Sequence, residues 1–203
     1  MRRIALLISL VSGLLLLSAC QQQPVSKRFA STPTPIILAP PPTPDAWDRL
    51  AQHPLISQQL PPGTACPISW GKQVAPGFGP ALGDGPVYLV GFGERGVVSF
   101  EDARLDAGGT YLKAVLIAPP DYQGPLLVRG RQVDGPNLMS FGESAHPASQ
   151  LRLSEQAATP ESSGWLALWG GYLRVPAPGC YAVQIDDLIT YSQFIYVQVA
   201  PAQ

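Results

Sequence analysis

The stretch GFGERG, residues 91–96, has the glycine spacing of a dinucleotide-binding loop. Such a loop needs a strand before it and a helix after it, because the helix N-terminus holds the pyrophosphate. A plausible strand, PVYLV, precedes the loop, but the residues that follow, GVVSFED, are rich in β-branched and aromatic side chains. We therefore interpret GFGERG as the turn of a β-hairpin and expect no nucleotide or other cofactor.

Ser144 and His146, in the stretch FGESAH, are the candidates for a nucleophile and its base. The G-x-S-x-G elbow is missing, and a base two residues away on one loop is poorly placed to reach its neighbour. The leading hypothesis therefore assigns no catalytic residues. The alternative is an extracytoplasmic hydrolase of cell-wall or extracellular polymers, with Ser144, His146 and an acid that the sequence does not identify.

The potential metal ligands do not form a recognisable motif. His53 and His146 are the only histidines, whereas a zinc site needs three or four converging ligands. Acidic side chains at 101–102 and 186–187 could offer oxygen atoms to calcium, but no EF-hand pattern surrounds them. We predict no metal site.

Four aromatic side chains are interpreted as core and rim residues rather than as a platform for a ligand: Trp70, Trp165, Trp169 and Tyr172.

The first twenty residues, MRRIALLISLVSGLLLLSAC, combine paired arginines with an apolar run that ends in small residues. This pattern is typical of a signal peptide over residues 1–19. The ending Leu-Ser-Ala-Cys resembles the lipobox of bacterial lipoproteins, and the resemblance implies cleavage before Cys20 and acylation of that cysteine. We expect a lipid anchor in the cell membrane or outer membrane, with the chain facing the periplasm or the cell exterior.

Two cysteines remain if Cys20 carries lipid, and in an exported protein they are expected to form a disulfide, Cys66–Cys180. Removing Arg2 and Arg3 from 13 basic residues leaves 11 against 14 acidic ones, a formal charge of −3. A nucleic-acid partner is therefore not expected.

Prolines and small polar residues dominate after Cys20, so residues 20–61 are predicted to be a Pro-rich linker. A short helix within it would begin at Asp45 and be limited by Pro54. Residues 62–203 are predicted to be one all-β domain, an antiparallel sandwich, because short apolar segments alternate with turn signals. The segments of strand character are PVYLVGF, GVVSF, TYLKAVLIA, PLLVRGRQV, SQLRLS, WLALWG, YLRV, CYAVQI and TYSQFIYVQV.

Alternation within residues 180–185 puts Tyr181, Val183 and Ile185 on the predicted core face. The last strand is apolar on both faces, as expected for a strand that is covered twice.

The stretches GPLLVRGRQVDGP (124–136) and VPAPGCYAVQID (175–186) resemble those of uncharacterised bacterial lipoproteins with a C-terminal immunoglobulin-like β-sandwich domain. The resemblance implies an immunoglobulin-like fold and an exported setting, and no catalytic residues accompany it. The expected function is that of a lipid-anchored envelope protein, a non-enzymatic binding or structural module, with the membrane and an envelope protein or glycan as partners.

Overall fold

The short apolar segments between Gly, Pro and Asp turns fold into strands, as their alternation predicts. The computed structural model describes residues 45–56, 58–154, 159–188 and 192–202, all of which belong to a compact unit, Pro42–Gln203. The predicted signal peptide, residues 1–19, and the predicted lipidation site, Cys20, lie outside the described residues. In the described part of the chain, no helix is long and apolar enough to span a membrane.

Sheet A has the strand order β1-β2-β3-β6-β11-β10, with β5 paired to β6 and β8 paired to β11. Its strands are β1 (Gly71–Lys72), β2 (Ala81–Leu82), β3 (Tyr88–Val90), β5 (Arg104–Asp106), β6 (Gly109–Ala118), β8 (Ser140–Phe141), β10 (Thr159–Pro160) and β11 (Leu166–Arg174). All its pairs are antiparallel, and the long β6–β11 pair forms its centre.

Sheet B has the order β4-β13-β12-β7-β9. Its strands are β4 (Val97–Ser99), β7 (Leu126–Gln132), β9 (Leu151–Leu153), β12 (Gly179–Asp187) and β13 (Ser192–Ala200). The β4–β13 pair is parallel and the others are antiparallel. A 3₁₀ helix, Phe100–Asp102, follows β4 directly.

The two sheets pack as a sandwich around one main core, so the predicted fold class is confirmed. Alternate residues of the long strands enter this core, including Leu112 and Leu116 of β6 and Val183 and Ile195 of sheet B. The immunoglobulin-like arrangement implied by the resemblance stays a prediction.

Strand β12 is buried along its whole length because both of its faces are covered. Tyr181, Val183 and Ile185 face the main core, as predicted. Cys180 and Ala182 point to the outer side of sheet B and belong to a separate apolar cluster.

A segment that crosses the outer side of sheet B covers this second face. We call residues 53–66, apart from 57, the strap. Ile56, Leu60 and Cys66 of the strap pack with Cys180 and Ala182. The predicted disulfide between Cys66 and Cys180 is present and joins the strap to β12.

The predicted short helix is present as α1 (Ala46–Ala51), whose N-cap Asp45 accepts a hydrogen bond from the Asp48 backbone N–H. The helix packs against β7, and its Leu50 is buried. The helix and the strap belong to the same compact unit as the sandwich. The domain boundary at residue 62 stays a prediction.

The prediction of a β-hairpin around GFGERG is wrong, although the turn itself is present. Strand β3 before it pairs within sheet A, whereas β4 after it pairs in parallel with β13 of sheet B. The turn therefore carries the chain from one sheet to the other. Gly93 and Gly96 adopt positive φ angles there, which glycine tolerates best.

Candidate functional site

The central pair of strands of sheet A carries a groove on its outer side. In the β6–β11 register, Tyr172 lies opposite Lys113 and Gly170 lies opposite Val115. The groove has a volume of about 260 Å³ and is lined by Lys113, Ala114, Val115, Glu143, Gly170, Gly171 and Tyr172. It thus combines an aromatic ring with one basic and one acidic side chain.

Gly170 keeps the floor of the groove open. A Cβ atom built on it would meet only Val115 Cγ2, at 3.9 Å, which is ordinary van der Waals contact. Its backbone conformation is also accessible to other residues, since its φ lies outside the left-handed region. A larger side chain could therefore fill the groove without straining the strand.

The Tyr172 ring is held by a second tyrosine on the neighbouring strand. Its centre lies 3.8 Å from that of Tyr111, and the two rings are inclined by 8°. The guanidinium carbon of Arg174 lies 5.5 Å from the Tyr111 ring centre and 5.7 Å from that of Tyr172. Because it is almost equally far from both ring centres, the guanidinium lies beside the stack and packs against both tyrosines.

Arg174 is almost fully buried and forms a two-pronged ion pair with Asp106. Its Nη1 donates to Asp106 Oδ1 over 2.5 Å, and its Nη2 donates to Oδ2 over 3.0 Å. The pKa of the Asp106 carboxyl is lowered, mainly by this hydrogen bonding to Arg174. The free-energy cost of burying the cation is offset because the Asp106 carboxylate and the Gly109 carbonyl, 2.9 Å from Nη1, accept hydrogen bonds from it.

Arg174 also holds the loop that carries Glu143. Its Nε donates to the Gly142 carbonyl over 2.9 Å, and its Nη2 donates to the Ser144 carbonyl over 3.4 Å. The Gly142 N–H donates in turn to the Tyr172 carbonyl over 2.9 Å. One buried cation thus fixes the loop on both sides of Glu143 and supports the Tyr172 ring.

The pKa of the Tyr172 phenol is affected by the groups that surround it. Its pKa is raised, first by the adjoining Tyr111 hydroxyl and then by burial and by the nearby Glu143 and Asp106 carboxylates. The phenol therefore stays neutral at physiological pH, as a hydrogen-bonding group at the edge of the groove.

A second polar cluster lies beneath the strap on sheet B. The Asp186 carboxylate, which is fully buried, accepts from Arg129 Nη2 over 2.5 Å and from Gln184 Nε2 over 2.9 Å. Ser192 Oγ also donates to this carboxylate. Three donors thus compensate the buried charge.

The same cluster holds the strap in place. Gln184 Nε2 donates to the Pro54 carbonyl over 3.0 Å, and Gln184 Oε1 accepts from the Ile56 N–H over 2.8 Å. Arg129 Nη2 donates to the His53 carbonyl over 2.7 Å. We call Arg129, Gln184 and Asp186 the latch.

Ser192, His53 and Asp186 meet here, a combination that the sequence analysis did not identify. His53 Nδ1 lies 3.3 Å from Ser192 Oγ and 3.4 Å from Asp186 Oδ1. A catalytic triad uses one ring nitrogen for the acid and the other for the serine. Here a single nitrogen faces both partners, which suits a structural contact of the strap better than proton relay.

The serine predicted for the alternative hydrolase is turned away from its proposed base. Ser144 Oγ donates to the backbone carbonyl of His146 over 2.6 Å, and this bond does not involve the imidazole. The structure therefore brings Ser144 and His146 together only through the main chain of their shared loop.

The GFGERG turn lines an open hollow of about 440 Å³ with Phe92, Gly93, Glu94, Arg95 and Val97. The Phe92 side chain is fully buried, so its ring faces are not available to a base or a sugar. The turn leads into β4 and a three-residue 3₁₀ helix, which is not the phosphate-binding helix of a dinucleotide fold. Its glycines serve the change of sheet.

The acidic residues considered for calcium lie in different elements of the fold. Asp186 belongs to the latch and is paired with Arg129, while Glu101 and Asp102 belong to the 3₁₀ helix after β4. Among the described residues, no group of three His, Cys, Asp or Glu side chains converges to hold a metal ion.

The two stretches that carry the family resemblance lie next to each other. Asp134 Oδ1 accepts from the Cys180 N–H over 2.9 Å, and Gln132 Nε2 donates to the Pro178 carbonyl over 3.3 Å. Their polar residues thus bind the turn after β7 to the start of β12. We interpret this pattern as structural.

Sequence signals for the groove were present but indirect. Tyr172 and Arg174 have the two-residue spacing of one strand face, as have Tyr111 and Lys113. Only the register of the β6–β11 pair brings the two sets together. Tyr172, which was expected to be a core or rim residue, is half-buried and lines the groove.

Comparison of the chain with protein-family models, with curated proteins and with solved structures finds no match.

Proposed function

We propose that this protein is a lipid-anchored envelope protein whose β-sandwich domain acts outside the cytosol as a non-enzymatic binding module. The observation that carries the proposal is the Cys66–Cys180 disulfide, which fastens the strap to the central strand of sheet B. Disulfides of this kind persist in oxidising compartments and are rare in the cytosol. The bond therefore supports an exported chain.

The disulfide also bears on the lipid anchor. The chain has three cysteines, and pairing of Cys66 with Cys180 leaves Cys20 as the odd one. Cys20 follows an apolar run and the Leu-Ser-Ala sequence of a lipobox-like site. Acylation at this position accounts for both the unpaired cysteine and the leader before it.

A binding role is favoured over hydrolysis by how each set of polar side chains is arranged. The Ser144 hydroxyl is engaged by a main-chain carbonyl, and Ser192 shares one imidazole nitrogen with Asp186. In the groove, in contrast, Arg174 packs beside the Tyr172 ring and holds the main chain on both sides of Glu143, and the side chains of Glu143 and Lys113 line the groove. Preorganised groups of this type favour association because less conformational freedom is lost on binding.

Labelling of cells with a tagged palmitate tests the anchor. We expect label on the wild-type chain in the membrane fraction, and no label on Cys20→Ser. Cys66→Ser/Cys180→Ser serves as the control, since it removes the two cysteines that the proposal does not acylate and leaves no unpaired partner. An unlabelled wild-type chain that keeps its leader in the soluble extract would overturn the proposal.

A substrate panel separates the binding role from the alternative hydrolase. Generic ester, peptide and glycoside substrates are expected to give no turnover with the purified chain. Turnover that disappears in Ser144→Ala or Ser192→Ala would refute the non-enzymatic assignment.

A further inference from the structure

We propose that the groove on the outer side of sheet A binds a neutral glycan, with a sugar ring stacked on Tyr172. The inference rests on the proposed function in that it names the ligand class of the binding domain.

The groove is accessible from the outer side of the sheet. Its floor consists of Val115 and Gly170 at the centre of two long strands, where the missing side chain of glycine leaves a trough along the sheet. The groove has a volume of about 260 Å³ and is partly open to solvent. A polymer can lie across such a surface without having to enter by one end.

The ring of Tyr172 offers the apolar contact. The face of an aromatic ring carries negative partial charge and attracts the positively polarised C–H groups on one side of a sugar ring. Tyr111 lies parallel to Tyr172 at 3.8 Å and so fixes the inclination of the ring before any ligand arrives. The ring is therefore already ordered in the free protein, so little conformational entropy is lost when a ligand binds.

The charges at the rim favour a neutral ligand. Lys113 and Glu143 both line the groove, and among the contacts of the described residues neither side-chain charge is in a salt bridge. A polyanion would meet the Glu143 carboxylate, and a polycation would meet the Lys113 ammonium. Sugar hydroxyls both donate and accept, so they can satisfy the two groups at once.

The support of these side chains argues for a built site. Arg174 pairs with Asp106 and also donates hydrogen bonds to the carbonyls of Gly142 and Ser144, which flank Glu143. One buried residue thus packs beside the Tyr172 ring and fixes the main chain on both sides of Glu143. Sites of this kind are held by a rigid second layer of contacts.

The experiment is a binding measurement on the full chain, purified as cells produce it. A glycan array of neutral hexose and N-acetylhexosamine oligomers identifies the tightest ligand, and calorimetry measures its affinity. Heparin and an extended peptide serve as charged and polypeptide probes. We expect a neutral oligomer to bind and the other probes to bind at least about tenfold more weakly.

Four variants place the binding in the groove. Tyr172→Ala is expected to weaken binding by about tenfold or more, and Tyr172→Phe to retain most of it because the ring is kept. Gly170→Val should abolish binding by filling the trough, with the melting temperature preserved. Trp70→Ala removes an aromatic side chain that is 68% exposed but lies outside the groove, and should leave binding unchanged.

Several outcomes would overturn the inference. They are an array without a neutral ligand, preferential binding of heparin or peptide, and neutral-glycan binding that survives both Tyr172→Ala and Gly170→Val. Palmitate labelling reports on the anchor independently, so failure of glycan binding with a labelled chain rejects the ligand class alone.

Discussion

Cys66 and Cys180 are separated by 114 positions in the sequence, and their Cα atoms lie 5.5 Å apart where the strap meets the central strand of sheet B. The sulfur of the strap thus reaches a residue that is 1% exposed. The bond closes a long loop that contains strands β1 to β11, so it constrains much of the unfolded chain.

Loss of this disulfide should be costly. In the chain-entropy description, opening a loop of this length lowers the free energy of unfolding by about 4–5 kcal/mol. We expect Cys66→Ala/Cys180→Ala to show that loss in urea unfolding under oxidising conditions. Cys20→Ser is the control and should unfold like the wild type. Equal stabilities for the double variant and the wild type would contradict the role given to the bond.

Neutralising the latch should also destabilise the domain. Asp186→Asn leaves Arg129, whose side chain is only 13% exposed, without its anionic partner. Breaking a buried pair in this way costs about 3–5 kcal/mol. His53→Gln is the comparison, since the His53 side chain is 41% exposed, and it should cost less than about 1 kcal/mol. Denaturant unfolding of the two variants measures the difference, and a reversed order would be inconsistent with the latch.

The Asp106–Arg174 pair predicts a specific dependence of stability on pH. Because the folded pKa of Asp106 is lowered, the pair contributes fully above the unfolded value of about 4, and the contribution is lost as pH falls through the folded pKa. Between about pH 5 and about pH 2, the melting temperature of the wild type should therefore fall more steeply than that of Asp106→Asn.

Asp121→Asn provides the control for this measurement, because Asp121 is an exposed aspartate. Its melting curve should follow the wild type throughout. Parallel slopes for the wild type and Asp106→Asn would show that the ion pair does not act as described.

The glycines of GFGERG should differ in their tolerance of a side chain. Gly93 and Gly96 have φ angles of 63° and 60°, but a Cβ on Gly93 would meet open space, whereas one on Gly96 would lie 2.6 Å from the Ser69 carbonyl oxygen. Gly93→Ala is expected to cost about 1–2 kcal/mol for the left-handed backbone alone. Gly96→Ala should cost clearly more, since backbone must move.

Thermal denaturation of both variants checks this order. NAD(H) added to the wild type should leave its melting temperature unchanged, because the glycines shape a turn between the sheets. A large stabilisation by the dinucleotide would restore the nucleotide interpretation.

Local patterns were sufficient for much of the fold. The alternation of Tyr181, Val183 and Ile185 identified the core face of β12, and Asp45 and Pro54 bracketed α1. These features depend on neighbouring residues only. The even pair of cysteines likewise identified the disulfide.

Features that depend on pairing between distant segments cannot be predicted from such local patterns. The turn at 91–96 looks like a hairpin because its flanks are strands, yet only contacts with β6 and β13 decide that these strands lie in different sheets. The groove depends in the same way on the β6–β11 register, which sets Tyr111 beside Tyr172. Arg174 belongs to the predicted strand segment YLRV, whose pattern does not indicate that the arginine is buried. Its burial depends on the Asp106 carboxylate of β5, which pairs with it.

An intact-mass measurement on the chain purified from membranes tests the central proposal most directly. The account predicts a protein that begins at Cys20, carries fatty acyl chains on that residue and contains the Cys66–Cys180 cross-link. A chain that retains residues 1–19, or one that begins with an unmodified Cys20, would contradict it.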